Sequence, residues 1–443
     1  MEHAPDRRRR VAIACQGGGS HTAFTAGVLK GLLGADALSA YEIVGLSGTS
    51  GGAVCALLAW YALLDDDPAA AGRLLDAFWA DNAATTPTDQ LLNAWLLWAS
   101  RLQEYVVTPA VSPYDTVASV TGMRHFRSLL ERRVHFDDID VVDDPTRPML
   151  LLGAVDVQSG DFMAFNSRRD RISPEMVLAS AAIPTLFRAV HLDGRSYWDG
   201  LFSQNPPVRE LLDAEPDEIW VIQVNARRRP DEPRTVVDIA DRRNELSGNL
   251  SLHQELHFIE KINQLLDEGL LTARDRYRNV IVRVIELTRS RLSLAMGTTS
   301  KLNRDPGFIN ELVDHGVARA EEFVAALAFE DAWRRRDADG ILRRVADDAE
   351  LVVGAPFGDP GTYQGAEQIR PLVERQLTRD VAIDVTRKQI CQDAVVWSVR
   401  TRRDDGRAPN HGWAAARFSD GAITSLRLGA DAADLSGGSR STG

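Results

Sequence analysis

The sequence predicts an α/β protein in which a mainly parallel sheet is flanked by helices and is followed by a smaller α+β domain. Residues 11–225 alternate short apolar runs with longer helical patterns, which is typical of a parallel sheet with helices on both faces. From about residue 328, helical segments are followed by alternating runs that indicate an antiparallel sheet. The chain has 443 residues, of which 44% are hydrophobic, so two or three folded domains are expected.

The first domain is predicted to span residues 8–327. Apolar runs predict strands at residues 11–15, 43–46, 150–155 and 219–224, and helical spacing predicts helices at 22–33 and 53–64. Residues 227–327 are mostly helical in pattern, with one apolar run at 280–287 that could add a strand. This order of strands and helices is the one that a doubly covered parallel sheet requires.

The second domain is predicted at residues 328–430, and the tail at 431–443 is expected to be disordered because it is rich in Gly and Ser. A helical segment through Ala346, an apolar run at 350–354 and a short helix near 369–377 precede alternating runs around 381–389, 394–401 and 411–428. No Gly or Pro interrupts residues 317–339, so one helix is expected to be shared by the two domains.

Charge and cysteine content exclude several classes of protein. Lys and Arg number 51 against 63 Asp and Glu, a net charge of -12 that disfavours nucleic acid as a partner. Cys15, Cys55 and Cys391 are far apart and lie mostly in apolar runs, which favours reduced thiols in a cytoplasmic protein. The first apolar run is too short for the core of a signal peptide, and no run is long enough to span a membrane. We therefore expect a cytoplasmic protein whose membrane contact is at most peripheral.

A nucleophile is predicted at Ser50. The residues Gly48, Thr49, Ser50, Gly51 and Gly52 form a GxSxG motif between a predicted strand and a predicted helix. Small neighbours let the chain turn sharply enough to present the serine hydroxyl at the edge of the sheet, and the start of a helix favours negative charge there. Ser47 lies nearby but lacks the second glycine of the motif, so Ser50 is the candidate.

An oxyanion hole is predicted at Gly17, Gly18 and Gly19, directly after the first strand. Glycines can adopt positive φ and leave the backbone N–H groups unobstructed, so several of these groups can converge on a developing oxyanion. The alternative is a dinucleotide-binding turn, but its GxGxxG spacing ends at Thr22, and no acidic residue closes the second strand.

A base is predicted at Asp199. The segment 189–208 has the pattern of a hairpin, with Asp193 and Gly194 as its two-residue turn. Asp199 ends the return strand and is followed by glycine, a polar stretch and two prolines, which indicate an irregular loop suited to a site residue.

These motifs together resemble the patatin-like phospholipases over about residues 8–225. The residues that carry the resemblance are Gly17-Gly18-Gly19 with Gly27-Val28-Leu29, Gly48-Thr49-Ser50-Gly51-Gly52, Ala179-Ser180-Ala181-Ala182-Ile183-Pro184, and Asp199-Gly200 followed by Asn205-Pro206. The resemblance implies a lipid acyl hydrolase that uses a Ser-Asp dyad and an acyl-enzyme, with Ser50 as nucleophile, Asp199 as base and the amides of Gly17 to Gly19 as oxyanion hole. It implies no metal or organic cofactor.

The sequence departs from the family where a basic residue and a glycine usually follow the glycine run. His21 and Thr22 stand there instead. We expect His21 to be partly exposed in the first helical turn, where it could supply a hydrogen-bond donor when neutral or a charge when protonated.

The second domain is similar to the NTF2-like, or SnoaL-like, α+β cone in its element order and in the residues Tyr363-Gln364-Gly365 before a helix. Such cones enclose an apolar pocket and serve as binding modules, dimerisation units or enzymes. The domain could therefore mediate a homodimer, or bind a small apolar ligand or partner on a first domain that is only a scaffold. Candidates to line the pocket are Tyr363, Asp384, Trp397, His411 and Trp413.

A second alternative is an α/β-hydrolase with a Ser-Asp-His triad, in which His253 or His257 would follow the acid along the chain.

A last feature concerns substrate access. Leucines and tryptophans follow helical spacing over residues 91–102, which predicts either a buried core helix or a helix that lies at a lipid interface or covers the active-site mouth. The residues are Leu91, Leu92, Trp95, Leu96, Trp98 and Leu102. The expected partner is a lipid ester.

Overall fold

The structure is a computed structural model. It describes residues 7–102, 112–184, 186–227, 229, 232–272, 277–288, 292, 296–297, 299–355, 358–378, 381–391, 394–403, 410–419 and 421–430. The chain divides into two compact units. The first comprises the chain up to Val280 together with Leu287–Ala318, and the second comprises Ile281–Glu286 together with the chain from Arg319 onward.

The first unit contains a mainly parallel sheet. Its strands are β1 (Arg9–Cys15), β2 (Tyr41–Gly48), β3 (Met149–Asp156), β4 (Phe162–Asn166), β5 (Val190–Leu192), β6 (Arg195–Asp199) and β7 (Glu218–Gln223). The order is β7-β1-β2-β3-β6-β5, and β4 also pairs with β3. Strands β7, β1, β2 and β3 run parallel, whereas β4, β5 and β6 join antiparallel. The predicted α/β fold class is thus confirmed.

Burial explains the parallel part of this sheet. The segment from Val11 to Cys15 in β1 is completely buried, as are Leu150, Leu151 and Leu152 in β3. Strands covered by helices on both faces need apolar side chains at consecutive positions, and these runs supply them. The carboxyl ends of β1 and β2 therefore open into the glycine run and the GxSxG turn.

Helices cover the sheet of the first unit. They are α1 (Ala23–Leu33), α2 (Gly51–Leu64), α3 (Pro68–Asn82), α4 (Pro87–Leu102), α5 (Val117–Glu131), α6 (Pro174–Ser180) and α7 (Val236–Asp267). Helix α1 lies against the first part of α8 (Pro306–Arg334), where a Cβ on Gly27 would collide with the backbone of Val313. The close approach of α1 and α8 therefore leaves no room for a side chain at Gly27. No helix in the described part of the chain combines the length and apolar character needed to cross a membrane.

The hairpin predicted before Asp199 is present. Strands β5 and β6 pair antiparallel, and Leu192 lies opposite Arg195. Asp193 and Gly194 have φ angles of 49° and 77°. Positive φ at both central positions is what the predicted Asp-Gly turn requires.

The second unit contains a largely antiparallel sheet with three associated helical segments. Its strands are β8 (Ile281–Glu286), β9 (Val345–Val353), β10 (Gly361–Gln364), β11 (Val381–Cys391), β12 (Ala394–Arg403), β13 (Asn410–Ser419) and β14 (Ala422–Gly429). The order is β10-β9-β14-β13-β12-β11-β8. Its helices are the part of α8 from Arg319 onward, α9 (Ala338–Leu342) and α10 (Gly365–Thr378).

Two details of the second unit differ from the sequence pattern. The run predicted at 411–428 is two strands, β13 and β14, because the chain turns at Gly421, which has φ 76°. Strand β8 belongs to this unit, where it pairs parallel with β11. The unbroken helical pattern after residue 317 does form one helix, which continues to Arg334. The predicted disordered tail, 431–443, lies outside the described residues.

A charged cluster lies in the interior of the second unit. Arg283 in β8 pairs with the carboxylate of Glu330 in α8 at 2.7 and 2.9 Å. Trp397 in β12 donates its indole N–H to Glu330 Oε1 at 2.7 Å. All three side chains are buried. Of the proposed pocket residues, Trp397 is thus part of the interior, whereas the side chains of Asp384 and His411 lie outside the described residues.

Candidate active site

Ser50 occupies the sharp turn between β2 and α2. Its φ and ψ are 57° and −131°, a conformation that residues with a Cβ rarely adopt. The carbonyl of Ser50 accepts the N–H of Ala53 at 2.9 Å, so α2 begins directly at this residue. Ser50 is 7% exposed. Such strain at a single serine in a GxSxG motif is what the sequence predicts for a nucleophile held at a strand-to-helix turn.

The glycines of the motif allow neighbouring backbone segments to approach Ser50 closely. A Cβ on Gly48 would collide with the backbone of Gly52, and one on Gly52 would collide with the carbonyl of Cys15. A Cβ on Gly51 would collide with the hydroxyl of Thr22. The end of β1 and the start of α1 are thereby packed against the turn that carries Ser50.

Asp199 is the last residue of β6, opposite Ala154 of β3. Its side chain is 1% exposed and lies near enough to the side chain of Ser50 to interact with it, while its Oδ1 accepts the N–H of Leu201 at 2.9 Å. Burial raises the pKa of Asp199 to about 7, and the Ser50 side chain and the N–H of Leu201 offset only part of this rise. The structure therefore brings the two predicted dyad residues together.

The glycine run lies beside Ser50. A Cβ on Gly17 would be 2.9 Å from the Cβ of Ser50, and Gly19 has φ 59°. The N–H of Gly17 donates to Asn205 Oδ1 at 2.7 Å, so it is already engaged and does not serve as the oxyanion donor expected from the sequence. Within the described part of the chain, no acceptor is assigned to the N–H of Gly18 or Gly19. These two amides are the remaining candidates from the glycine run.

The expectation that His21 is partly exposed is wrong. The side chain is fully buried, and its Nε2 lies 2.8 Å from the hydroxyl of Ser300. The ring also packs edge-on against Phe308, with the ring centroids 6.2 Å apart. The physical reason is a turn at Thr299–Leu302, which covers the start of α1 from a distant part of the sequence.

Several supporting residues were not assigned a role from the sequence. Ser180, at the end of α6, hydrogen-bonds to Ser50, and Asn205 and Asn225 contact Gly17. Ser180 and Asn205 both lie within the phrases that carry the family resemblance, so those phrases contained the signal. Asn225 follows β7 with no motif around it, and no local pattern marks it.

The other candidates lie elsewhere. Asp193 is exposed in its turn, and on α7 His257 is exposed and His253 half-buried. In α4, Leu91 is 73% and Trp98 is 59% exposed, so the interpretation of this segment as a buried core helix is wrong for these two positions. The side chains of Leu92, Trp95, Leu96 and Leu102 lie outside the described residues. Helical spacing of apolar residues alone does not distinguish a helix in the core from one whose apolar side chains face solvent.

Comparisons with known proteins identify the class of each part. A family model described as a patatin-like phospholipase matches residues 13–212, and one described as a SnoaL-like domain matches residues 326–426. The chain therefore carries a patatin-like phospholipase domain followed by a SnoaL-like domain. The first match places residues 13–212 among lipid hydrolases at the level of the family. Both resemblances drawn from the sequence are confirmed.

Several solved structures are each similar to about a quarter of the chain. An NTF2-like protein of unknown function from Mesorhizobium loti is 17% identical, covering 24% of this chain and 88% of its own, with a TM-score of 0.23. An NTF2-like protein of unknown function from Burkholderia pseudomallei is 20% identical, with coverages of 26% and 94% and a TM-score of 0.22. An LEH-like epoxide hydrolase of M. tuberculosis is 21% identical, with coverages of 26% and 86% and a TM-score of 0.22. No curated protein matches the chain.

Proposed function

We propose that this protein hydrolyses carboxylic esters of lipids, with Ser50 as nucleophile and Asp199 as general base. The observation that carries the proposal is the proximity of the Ser50 side chain to a buried carboxylate whose pKa is raised to about 7. An ordinary aspartate, with a pKa near 4, is a weak base for a serine hydroxyl. A pKa near neutrality lets Asp199 accept the proton and later return it.

The reaction proceeds in two stages. Asp199 takes the hydroxyl proton as Ser50 Oγ attacks the ester carbonyl, and the carbonyl oxygen becomes an oxyanion. The C–O bond to the alcohol then breaks, the alcohol leaves with the proton from Asp199, and the acyl group remains on Ser50. Asp199 then takes a proton from a water molecule that attacks the acyl carbon, the bond from this carbon to Ser50 Oγ breaks, and Asp199 returns the proton to Oγ as the fatty acid leaves.

The oxyanion requires donors that are in place before the reaction. The N–H groups of Gly18 and Gly19 are candidates, because they lie in the loop packed against Ser50 and no protein acceptor is assigned to them within the described residues. The positive end of α2 starts at Ser50 and favours the same negative charge. Loss of one such donor typically lowers the rate about 100- to 1,000-fold.

The alternative triad with His253 or His257 is less well supported. Within the described part of the chain, the Asp199 carboxylate interacts with the side chain of Ser50 and accepts the N–H of Leu201, so the acid is already directed at the serine. In a Ser-His-Asp triad the imidazole would stand between these two groups. We therefore favour the dyad.

A lipid substrate also needs access from an interface. Leu91 and Trp98 on α4 are seven residues apart, so they lie on one face of the helix and expose large apolar side chains there. An exposed tryptophan beside a leucine on an amphipathic helix is suited to the boundary between lipid headgroups and acyl chains. We include peripheral membrane contact through α4 in the proposal.

The decisive experiment is labelling with a fluorophosphonate probe, followed by mapping of the modified residue. We expect labelling at Ser50 and turnover of at least one ester in a panel of phospholipid, lysophospholipid, acylglycerol and short-chain esters. Ser50→Ala should abolish both. Ser47→Ala is the matched control, because Ser47 is also buried on β2 and its hydroxyl has no assigned partner within the described residues. Retained ester turnover in Ser50→Ala would refute the proposal.

A further inference from the structure

A pair of buried asparagines holds the peptide groups of Gly17 from two sides. The N–H of Gly17 donates to Asn205 Oδ1 at 2.7 Å, and its carbonyl accepts from Asn225 Nδ2 at 3.1 Å. Asn205 and Asn225 are both buried. Gly17 is therefore fixed on its donor side and on its acceptor side, immediately before the two glycines whose amides are the proposed oxyanion donors.

Asn225 is itself held by the residue before the glycines. The side chain of Gln16 accepts the N–H of Val224 at 3.0 Å and the N–H of Asn225 at 2.9 Å, and it donates to Asn249 at 3.0 Å. These groups are buried, and hydrogen bonds in a low-dielectric interior hold their partners more firmly than in water. The network therefore fixes the glycine loop to the chain after β7 and to α7.

Asn205 lies on the same loop as the proposed base. Asp199 contacts Ser50, and the carbonyl of Gln204 accepts the hydroxyl of Thr49 at 2.7 Å. Asn205 comes next and accepts the N–H of Gly17. One short loop thus reaches the site at three points. Asp199 contacts Ser50, Gln204 contacts Thr49 in the turn that carries Ser50, and Asn205 contacts Gly17 in the glycine run.

We propose that Asn205, together with Asn225, is a positioning residue that sets the glycine amides relative to Ser50. This inference rests on the proposed function. This placement of the two asparagines should cost stability, because Asn205 Nδ2 and Asn225 Oδ1 are buried without a hydrogen bond to any described residue. A buried polar atom left unsatisfied is unfavourable. Here both such atoms belong to the two residues that hold Gly17 beside Ser50.

The test compares Asn205→Ala and Asn225→Ala with a matched control in the full chain. Asn263→Ala is that control, because Asn263 binds both the N–H and the carbonyl of Val280, at 3.0 and 2.8 Å, away from the site. We expect kcat for a p-nitrophenyl ester to fall about 10- to 100-fold in each site variant, with KM changed less than about twofold. Asn263→Ala should lower the Tm and leave kcat unchanged.

A double variant separates positioning from general stabilisation. Because both asparagines act on Gly17, Asn205→Ala combined with Asn225→Ala should lower kcat about as much as the stronger single change, whereas independent effects would multiply. Labelling of Ser50 by fluorophosphonate should slow in parallel with kcat. Site variants that keep wild-type kcat, or that lose no more than Asn263→Ala, would overturn the inference.

Gly248→Ala covers the case in which Asn205→Ala fails to fold. Gly248 lies within α7, and a Cβ there would be 2.9 Å from Asn205 Nδ2, so this change displaces the amide without removing it. We expect a folded protein with kcat lowered several-fold, and an unchanged kcat would contradict the inference. A wild-type protein that neither labels nor turns over esters would instead refute the proposed function, and this inference would fall with it.

Discussion

The N–H of Ser50 points at both oxygens of Ser180. It donates to the carbonyl at 3.0 Å and lies 3.1 Å from Oγ, while that hydroxyl donates to the carbonyl of Gly153 in β3 at 2.6 Å. Ser180 is fully buried. The strained turn at Ser50 is thereby tied to α6 and to the neighbouring strand, which maintains a backbone conformation that would otherwise relax.

Removal of the Ser180 hydroxyl should lower activity by more than the loss of folding stability alone would explain. We expect Ser180→Ala to lower the free energy of unfolding by about 1–2 kcal/mol, since a buried hydrogen-bond partner is lost. It should also lower kcat about tenfold by loosening the turn. Steady-state kinetics and urea unfolding measure the two effects. Ser173→Ala, at the other end of α6, is the control, and an equal loss of kcat in that variant would contradict this role for Ser180.

The pH dependence of the reaction should report Asp199. Because burial raises the pKa of Asp199 to about 7, the carboxylate is protonated at pH 5 and ionised at pH 8. We expect kcat/KM to rise with pH by about tenfold per unit below pH 7 and to level off above it. Initial rates between pH 5 and pH 9 with a soluble ester measure this profile, and a flat profile below pH 7 would exclude Asp199 as the base.

The same shift predicts how stability depends on pH. The folded-state pKa of Asp199 is raised above that of an unfolded aspartate, so the stability contribution is fully present below about pH 4 and is lost as the pH rises through about 7. Asp199→Asn has no carboxyl to ionise, so this variant should not lose folding stability as the pH rises. We expect its Tm to exceed that of the wild type by at least about 3 °C at pH 8, with little difference at pH 4. Asp193→Asn, in the exposed turn, should show no such pH-dependent gain.

The exposed face of α4 should contribute to membrane binding. Replacing both Leu91 and Trp98 with Ala removes two large exposed apolar side chains, and we expect binding to phospholipid vesicles in a flotation assay to fall at least about fivefold. Turnover of a soluble ester should be unchanged. Phe162→Ala, a change at a similarly exposed aromatic residue in β4, is the control, and equal losses in the two proteins would argue against a specific role of α4.

The buried pair in the second unit should be sensitive to loss of one charge. Glu330→Gln removes the carboxylate from the buried ion pair with Arg283, and breaking a buried ion pair costs about 3 kcal/mol or more. Replacing Arg283 and Glu330 together with Met and Leu should be less harmful than Glu330→Gln. Urea unfolding monitored by tryptophan fluorescence compares them, and a double variant less stable than the single one would contradict this explanation.

The features predicted from the sequence are those with local causes. Apolar runs indicated β1, β2 and β3, the Asp193-Gly194 pair indicated the hairpin, and glycine spacing indicated the turn at Ser50. The proximity of Asp199 and Ser50 joins distant segments, but each residue had its own local signal in a following or flanking glycine.

The features missed by sequence reasoning depend on long-range contacts without such signals. His21 is buried because Ser300, 279 positions away, lies against it. The N–H of Gly17 is occupied by Asn205 from 188 positions away, and no pattern around the glycines shows this. Strand β8 joins the second unit by pairing with β11, about a hundred residues later. In each case the local pattern is compatible with more than one partner.

The position of β7 has a practical consequence for recombinant work. The family match ends at residue 212, yet β7 (Glu218–Gln223) pairs with β1 along its whole buried segment. A polypeptide truncated at the end of the match would leave one side of β1 with open N–H and carbonyl groups, a template for aggregation. Expression trials on this part of the protein should therefore extend at least beyond Gln223, the last residue of β7.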